Sequence, residues 1–188
     1  EIPLRLVGSE MCIRDRSIAA GKTTEFIEKL LGFKAPVIRI MPNINATVLE
    51  AMSAYCCSES VTDDQKEFVN KLCSSFGKVM PLSESYFPLF CSIAGCAPAY
   101  AYMFIDSLAR SAVKNGMNKS VALEIAAQTV LGSAKKILES DEHPWELIDK
   151  VCSPGGTTIE GIVSLQKDGF ESAVCNAVDA ALQKDKKV

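Results

Sequence analysis

From Tyr86 to Ile105 the chain carries no charged residue, over a length that would cross a bilayer as a helix. That stretch limits the possible folds more than any other. Pro88, Gly95 and Pro98 interrupt it, Glu84 and Asp106 flank it, and no Lys or Arg stands beside either end to anchor it at a membrane surface. A buried helix is therefore expected rather than a span. A helix that is apolar all round must be covered by protein, so subunit contact is its expected use.

The rest of the chain is consistent with an ordinary folded domain. At 188 residues it can bury one good core, or one core and a small second one. With 48% hydrophobic and 23% charged residues it is not a disordered segment. The net charge is −3, and the one basic cluster is the Lys184-Asp185-Lys186-Lys187 tail, which argues against a nucleic-acid partner. The 8 cysteines include no Cys-x-x-Cys; the close pairs are Cys56-Cys57 and Cys91 with Cys96. In apolar runs, and with no recognisable signal peptide, they read as reduced core residues of a cytoplasmic protein. One histidine and no Cys/His cluster leave no expected metal site, and His143 before Pro144 reads as a helix-start residue with a solvated ring.

Local signals give the order of elements. Phe26, Ile27, Leu30 and Leu31 make one helical face over Thr23 to Leu31, with Gly32 as the stop. Val37 to Met41 reads as a strand, Met52 to Cys57 as a second and Lys78 to Leu82 as a third. Between the last two, Thr62 and Gln65 form a capping box for a helix carrying Phe68, Val69, Leu72 and Phe76, closed by Gly77. This alternation predicts the end of an α/β sheet over residues 17–83. Residues 84–188 read as helical throughout: Glu84 to Ala94, Pro98 to Asn115, Lys119 to Ser140, Pro144 to Cys152, Thr158 to Lys167 and Phe170 to Lys184. Residues 1–16 fit neither part. Arg14-Asp15-Arg16 stands where an apolar strand should lead into Ser17, so the segment reads as foreign to the fold.

The chemistry concentrates at Ser153-Pro154-Gly155-Gly156-Thr157-Thr158, between two amphipathic segments. Proline stops one helix, the glycines let backbone approach a ligand, and Thr157 with Glu160 predicts a capping box opening the next helix at Thr158. Unpaired N–H groups at such a helix start attract a carboxylate or phosphate, with the hydroxyls of Ser153, Thr157 and Thr158 alongside. Spacing alone favours the plainer alternative, a connector between two helices.

The run from Pro144 to Gln166, with Leu147, Val151, Ser153, Gly155-Gly156, Thr158, Gly161, Ile162 and Leu165, resembles the signature segment of the pyrroline-5-carboxylate reductases. Ser17-Ile18-Ala19-Ala20-Gly21, Val37-Ile38-Arg39-Ile40-Met41-Pro42-Asn43 and Ala94-Gly95-Cys96-Ala97-Pro98-Ala99-Tyr100 match in the same order. The resemblance implies a Rossmann-type nucleotide domain followed by a helical dimerisation domain like the C-terminal domain of 6-phosphogluconate dehydrogenase. It implies reduction of 1-pyrroline-5-carboxylate to L-proline with NADPH or NADH, in a homodimer or an oligomer built on dimers. It further implies that the substrate carboxylate meets Ser153 and the backbone N–H groups from Gly156 to Thr158, with Gly155 and Thr157 in the same substrate-binding turn, that the Thr158 hydroxyl meets the imine nitrogen, and that Ala19, Ala20, Pro42 and Asn43 lie near the nicotinamide and its ribose. Ala97 stands where the family often has glycine, and Cys96 reads as packing.

The family's glycine-rich phosphate turn has no counterpart here, since Gly8 and Gly21 are isolated. The chain is accordingly expected to be an N-terminally truncated reductase whose activity alone is doubtful. Two other readings stay open: a non-catalytic dimerisation module, and a related β-hydroxyacid-type dehydrogenase. Against the second, the long helix opens with Pro98-Ala99-Tyr100 and no lysine.

Overall fold

The structure is a computed structural model that describes residues 16–19 and 21–185. Its packing divides into two units. The first runs through Cys96 and takes in the segment from Leu182; the second is Ala97–Ala181.

The first unit is built on a four-stranded sheet in the order β1 (Arg16–Ser17), β2 (Ile38–Met41), β3 (Ala51–Cys57), β4 (Gly77–Pro81). β1 and β2 are parallel, as are β3 and β4, and each pair is joined through a helix: α1 (Thr24–Leu31) and α2 (Asp63–Ser74). β2 and β3 are antiparallel, because only a short 3₁₀ turn, Ile44–Val48, separates them and a helical crossover does not fit there. Two local signals act as the sequence predicts: Gly32 ends α1 in the left-handed conformation, and Thr62 and Gln65 form the reciprocal capping box of α2. Thr23, expected inside α1, instead caps it by accepting from Phe26 N–H. Gly77 departs from expectation: α2 already ends at Ser74, and Gly77 is the first residue of β4. Arg16 lies in β1 with its guanidinium 4.3 Å from the centre of the Phe68 ring, so stacking accommodates a polar residue in an edge strand.

β2 is buried on both faces. Ile38 and Ile40 point with Tyr55 into a core closed by Val61, Val69 and Cys73. By the two-residue period of a strand, Arg39 and Met41 take the opposite face. There the Arg39 guanidinium lies 4.6 Å from the centre of the fully buried Phe87 ring. Phe87 belongs to a segment with no sharp break: a 3₁₀ turn Glu84–Tyr86, α3 (Phe87–Phe90) and a π-helical turn Cys91–Gly95 that leads into the next helix. Gly95, expected to interrupt this stretch, closes the π turn, and Pro98 stands in the first turn of that next helix, where a missing N–H is tolerated.

The second unit is helical: α4 (Ala97–Lys114), α5 (Lys119–Leu138), α6 (Pro144–Val151), α7 (Thr157–Lys167) and α8 (Phe170–Asp185). Ala109, Ala122 and Ala126, with Ile105 and Ala112 against them, let α4 and α5 pack closely. α8 is tied to α4 by Phe104 against Phe170, ring centres 6.0 Å apart, and by Tyr100 Oη donating to the Ala177 carbonyl at 3.3 Å.

One expectation is met only in part, and another is corrected. The helical run Glu84–Lys114 is long and apolar enough to cross a membrane; Phe87 is buried within this chain, whereas Tyr102 is 58% and Met103 71% exposed, so that part of the run has no cover from the chain itself. The only buried hydrophobic residues among the described residues of the second unit are the three alanines above. The cysteines are not uniformly core residues either. Cys73 is buried, Cys56, Cys57, Cys91, Cys96 and Cys152 are half-buried, and Cys175 is exposed.

Candidate functional site

The Ser153–Thr158 block lies between α6 and α7. His143 Nδ1 accepts from Trp145 N–H and the Glu146 carboxylate accepts from His143 N–H, which fixes the start of α6; Pro144 suits its first turn. The ion pair of Lys150 with Glu142 spans the same helix and holds the Glu142 carboxyl below the usual carboxylate range. α6 ends at Val151, and Gly155, at φ +66°, turns the chain back; the Gly156 N–H donates to the Ser153 carbonyl at 2.9 Å. A Cβ on Gly156 would stand 2.4 Å from Ser153 Oγ, so glycine is what lets the turn fold down on the serine.

α7 begins one residue earlier than expected, at Thr157, with Gly156 as its cap, and no side chain bonds to the helix start. The capping box expected between Thr157 and Glu160 does not form, because both residues already lie inside the helix. The first N–H groups of α7 accordingly have no side-chain partner. Ser153 and Thr157 are exposed and Thr158 half-buried around that helix end.

The residues expected near the cofactor lie in the first unit. β1 and β2 are parallel, so Ala19 and Pro42-Asn43 leave the sheet at one edge, the carboxyl ends of neighbouring strands where open α/β sheets bind ligands. Ala19 N–H donates to Ser17 Oγ at 3.2 Å; Ala20 lies outside the described residues. Asn43 uses its side chain internally. Its Oδ1 accepts from Met52 N–H at 3.2 Å and its Nδ2 donates to the Ala94 carbonyl at 3.0 Å, tying the end of β2 to β3 and to the π turn.

Sequence reading missed a second tie. Arg39 Nη1 donates to Glu84 Oε1 at 3.0 Å, and the same carboxylate accepts from Thr24 N–H and Thr24 Oγ1, each at 2.9 Å. The available signal was a single arginine inside an apolar strand, which requires a buried anionic partner. Cys56, opposite Arg39 in the ladder, has its thiol pushed up to about 12, first by burial and then by the Glu84 carboxylate, so it stays protonated.

Residues 84–188 match the family described as pyrroline-5-carboxylate reductase dimerisation. Over 172 residues, 92% of this chain, the sequence is 40% identical to the pyrroline-5-carboxylate reductase of Aquifex aeolicus and 40% identical to that of Escherichia coli. It spans 65% and 64% of those two proteins. Among solved structures, 1-pyrroline-5-carboxylate reductase from Streptococcus pyogenes superposes with a TM-score of 0.87 at 40% identity, over 92% of this chain and 67% of that one. Pyrroline carboxylate reductase from Plasmodium falciparum with NADP bound superposes with a TM-score of 0.85 at 35% identity, over 92% and 69%. With the dimerisation family matched from Glu84 to the end and both the sheet and the helices reproduced in these relatives, the chain belongs to the pyrroline-5-carboxylate reductase family.

Proposed function

We propose that the protein carrying this chain reduces 1-pyrroline-5-carboxylate to L-proline with NADPH or NADH, in the cytoplasm, where thiols such as exposed Cys175 stay reduced. The observation that carries the reading is the start of α7, free of side-chain caps, behind the Ser153–Gly156 turn. In it the substrate carboxylate accepts from Ser153 Oγ and from the N–H groups of Thr157 and Thr158, a charge-assisted clamp reinforced by the helix dipole, while the Gly156 N–H, held by the Ser153 carbonyl, shapes the turn. Thr158 Oγ1 contacts the imine nitrogen. A threonine hydroxyl is too weak an acid to protonate it outright, so it orients a protonated iminium or relays a proton from water.

The dinucleotide, when bound, supplies the hydride. Ala19, Ala20, Pro42 and Asn43 hold its nicotinamide end, and the small side chains with the backbone edge between β1 and β2 allow a flat ring to approach closely. In this reading residues 17–83 contribute to the nucleotide domain and residues 84–188 form the dimerisation and substrate domain. The test is oxidation of NADPH followed at its near-ultraviolet absorbance with pyrroline-5-carboxylate as substrate, using the complete gene product. Absence of turnover by that protein overturns the reading.

Ser153→Ala separates binding from turnover. Its hydroxyl meets the carboxylate in ground and transition states alike, so KM for pyrroline-5-carboxylate rises about tenfold while kcat changes by less than about twofold. A fall in kcat at unchanged KM would place Ser153 at the reacting atoms instead.

The partner we propose is a second copy of the chain. Met103, Tyr102 and Leu131, at 71%, 58% and 58% exposure, stand on helices α4 and α5, which bury only small residues against each other. Sedimentation at micromolar concentration is expected to show a dimer or a multiple of it. A stable, soluble monomer under those conditions rules the interface out.

A further inference from the structure

A buried guanidinium requires a partner, and in β2 it obtains one that performs a second task. Arg39 is 6% exposed and is held between the Phe87 ring and the Glu84 carboxylate. Glu84 also accepts both donors at the head of α1, the Thr24 N–H and hydroxyl. That N–H is one of the donors a helix start leaves without an intrahelical partner, while the neighbouring Thr23 side chain serves Phe26 N–H instead. The other end of the same connection is fixed to the same arginine: Ser17 of β1 lies opposite Arg39 in the parallel ladder. The chain between Ser17 and Thr24 is therefore pinned to Arg39 at both ends, once through strand register and once through Glu84. Ala19 stands between those pins.

We infer that Glu84 is a positioning residue for dinucleotide binding: it joins Arg39 of β2 to the head of α1 and so fixes the β1–α1 connection at the cofactor edge. This rests on the functional reading above for the identity of the ligand. It does not rest on that reading for the clamp itself. The nearby thiols Cys56 and Cys91 are both held protonated, first by burial, and do not compete for the arginine.

The test compares Glu84→Ala, Glu84→Gln and Thr24→Val in the complete protein, by NADPH fluorescence titration, by KM for pyrroline-5-carboxylate, and by hydrogen exchange at the Thr24 to Phe26 amides. Glu84→Ala is expected to raise the NADPH Kd about tenfold, the scale set by losing a charged helix cap together with its ion pair. KM for pyrroline-5-carboxylate should stay within about twofold, and the Thr24 amide should lose protection. Glu84→Gln keeps an oxygen for Thr24 N–H and Arg39 and should recover most of the affinity. Thr24→Val removes one hydroxyl donor and should raise Kd by about two- to threefold in a protein that still folds. If Thr24→Val and Glu84→Ala leave Kd unchanged, or if the NADPH Kd and the KM for pyrroline-5-carboxylate rise in parallel, the contact serves stability alone and the inference is overturned. If the unaltered protein does not bind NADPH, the functional reading fails, and exchange at Thr24 decides the clamp separately: unchanged protection in Glu84→Ala removes it.

Discussion

Thr158→Val in the complete protein is expected to lower kcat with pyrroline-5-carboxylate by about 10²-fold and to leave the melting temperature close to that of the unaltered protein. Valine keeps the β-branched shape and removes only the hydroxyl. The fold tolerates the change because Thr158 is not a cap: Gly156 occupies that position, and no side chain bonds to the start of α7. The kinetic cost follows from the proposed contact of the hydroxyl with the nitrogen whose charge changes as the imine becomes an amine, a contact that would be strongest in the transition state. Ser153→Ala provides the contrast, since losing a group that holds the carboxylate in both ground and transition states should raise KM and spare kcat. Steady-state kinetics on the two variants side by side give the test. Near-normal kcat in Thr158→Val means the imine is oriented by water or by another residue.

What could be read from the sequence was whatever is decided within one or two turns of chain. Gly32 marked the end of α1, and Thr62 with Gln65 the start of α2, because capping is a contact between near neighbours. The Ser153–Thr158 block was legible for the same reason, to within one residue; the glycine cap took the place given to Thr157. Gly77 was misread because a glycine after a helical run looks the same whether it ends the helix or opens a strand. Arg39 and Glu84 are 45 residues apart, and no local pattern announces their pairing. The charge-free stretch at Tyr86 to Ile105 shows the limit most plainly: composition says that such a helix needs cover, but it does not say which chain supplies it.

Gly77→Ala is expected to destabilise the first unit by about 3 kcal/mol or more. Gly77 sits at φ +151°, and an added Cβ would meet Ala51 at 2.2 Å from its carbonyl oxygen, 2.3 Å from its nitrogen and 2.7 Å from its Cα. These are backbone atoms, so no side-chain rotation relieves the clash. Ala51 is also the ladder partner of Gly77, and its N–H donates to the Phe76 carbonyl at 3.0 Å, so admitting the methyl group means parting β3 from β4 where their pairing begins. Gly132→Ala is the control. It lies exposed inside α5 with nothing within 4 Å of an added Cβ, and alanine there should be neutral or stabilising by up to about 1 kcal/mol. Both variants are compared by denaturant midpoint at one fixed protomer concentration, because association contributes to apparent stability. The displacement should reach the cofactor edge as well: Met52, next to Ala51, donates its N–H to Asn43 Oδ1, so folded Gly77→Ala protein should show a raised KM for NADPH. A midpoint equal to that of the unaltered protein would mean that β3 and β4 have slack at Ala51, and that the left-handed geometry of Gly77 is not needed to begin the strand.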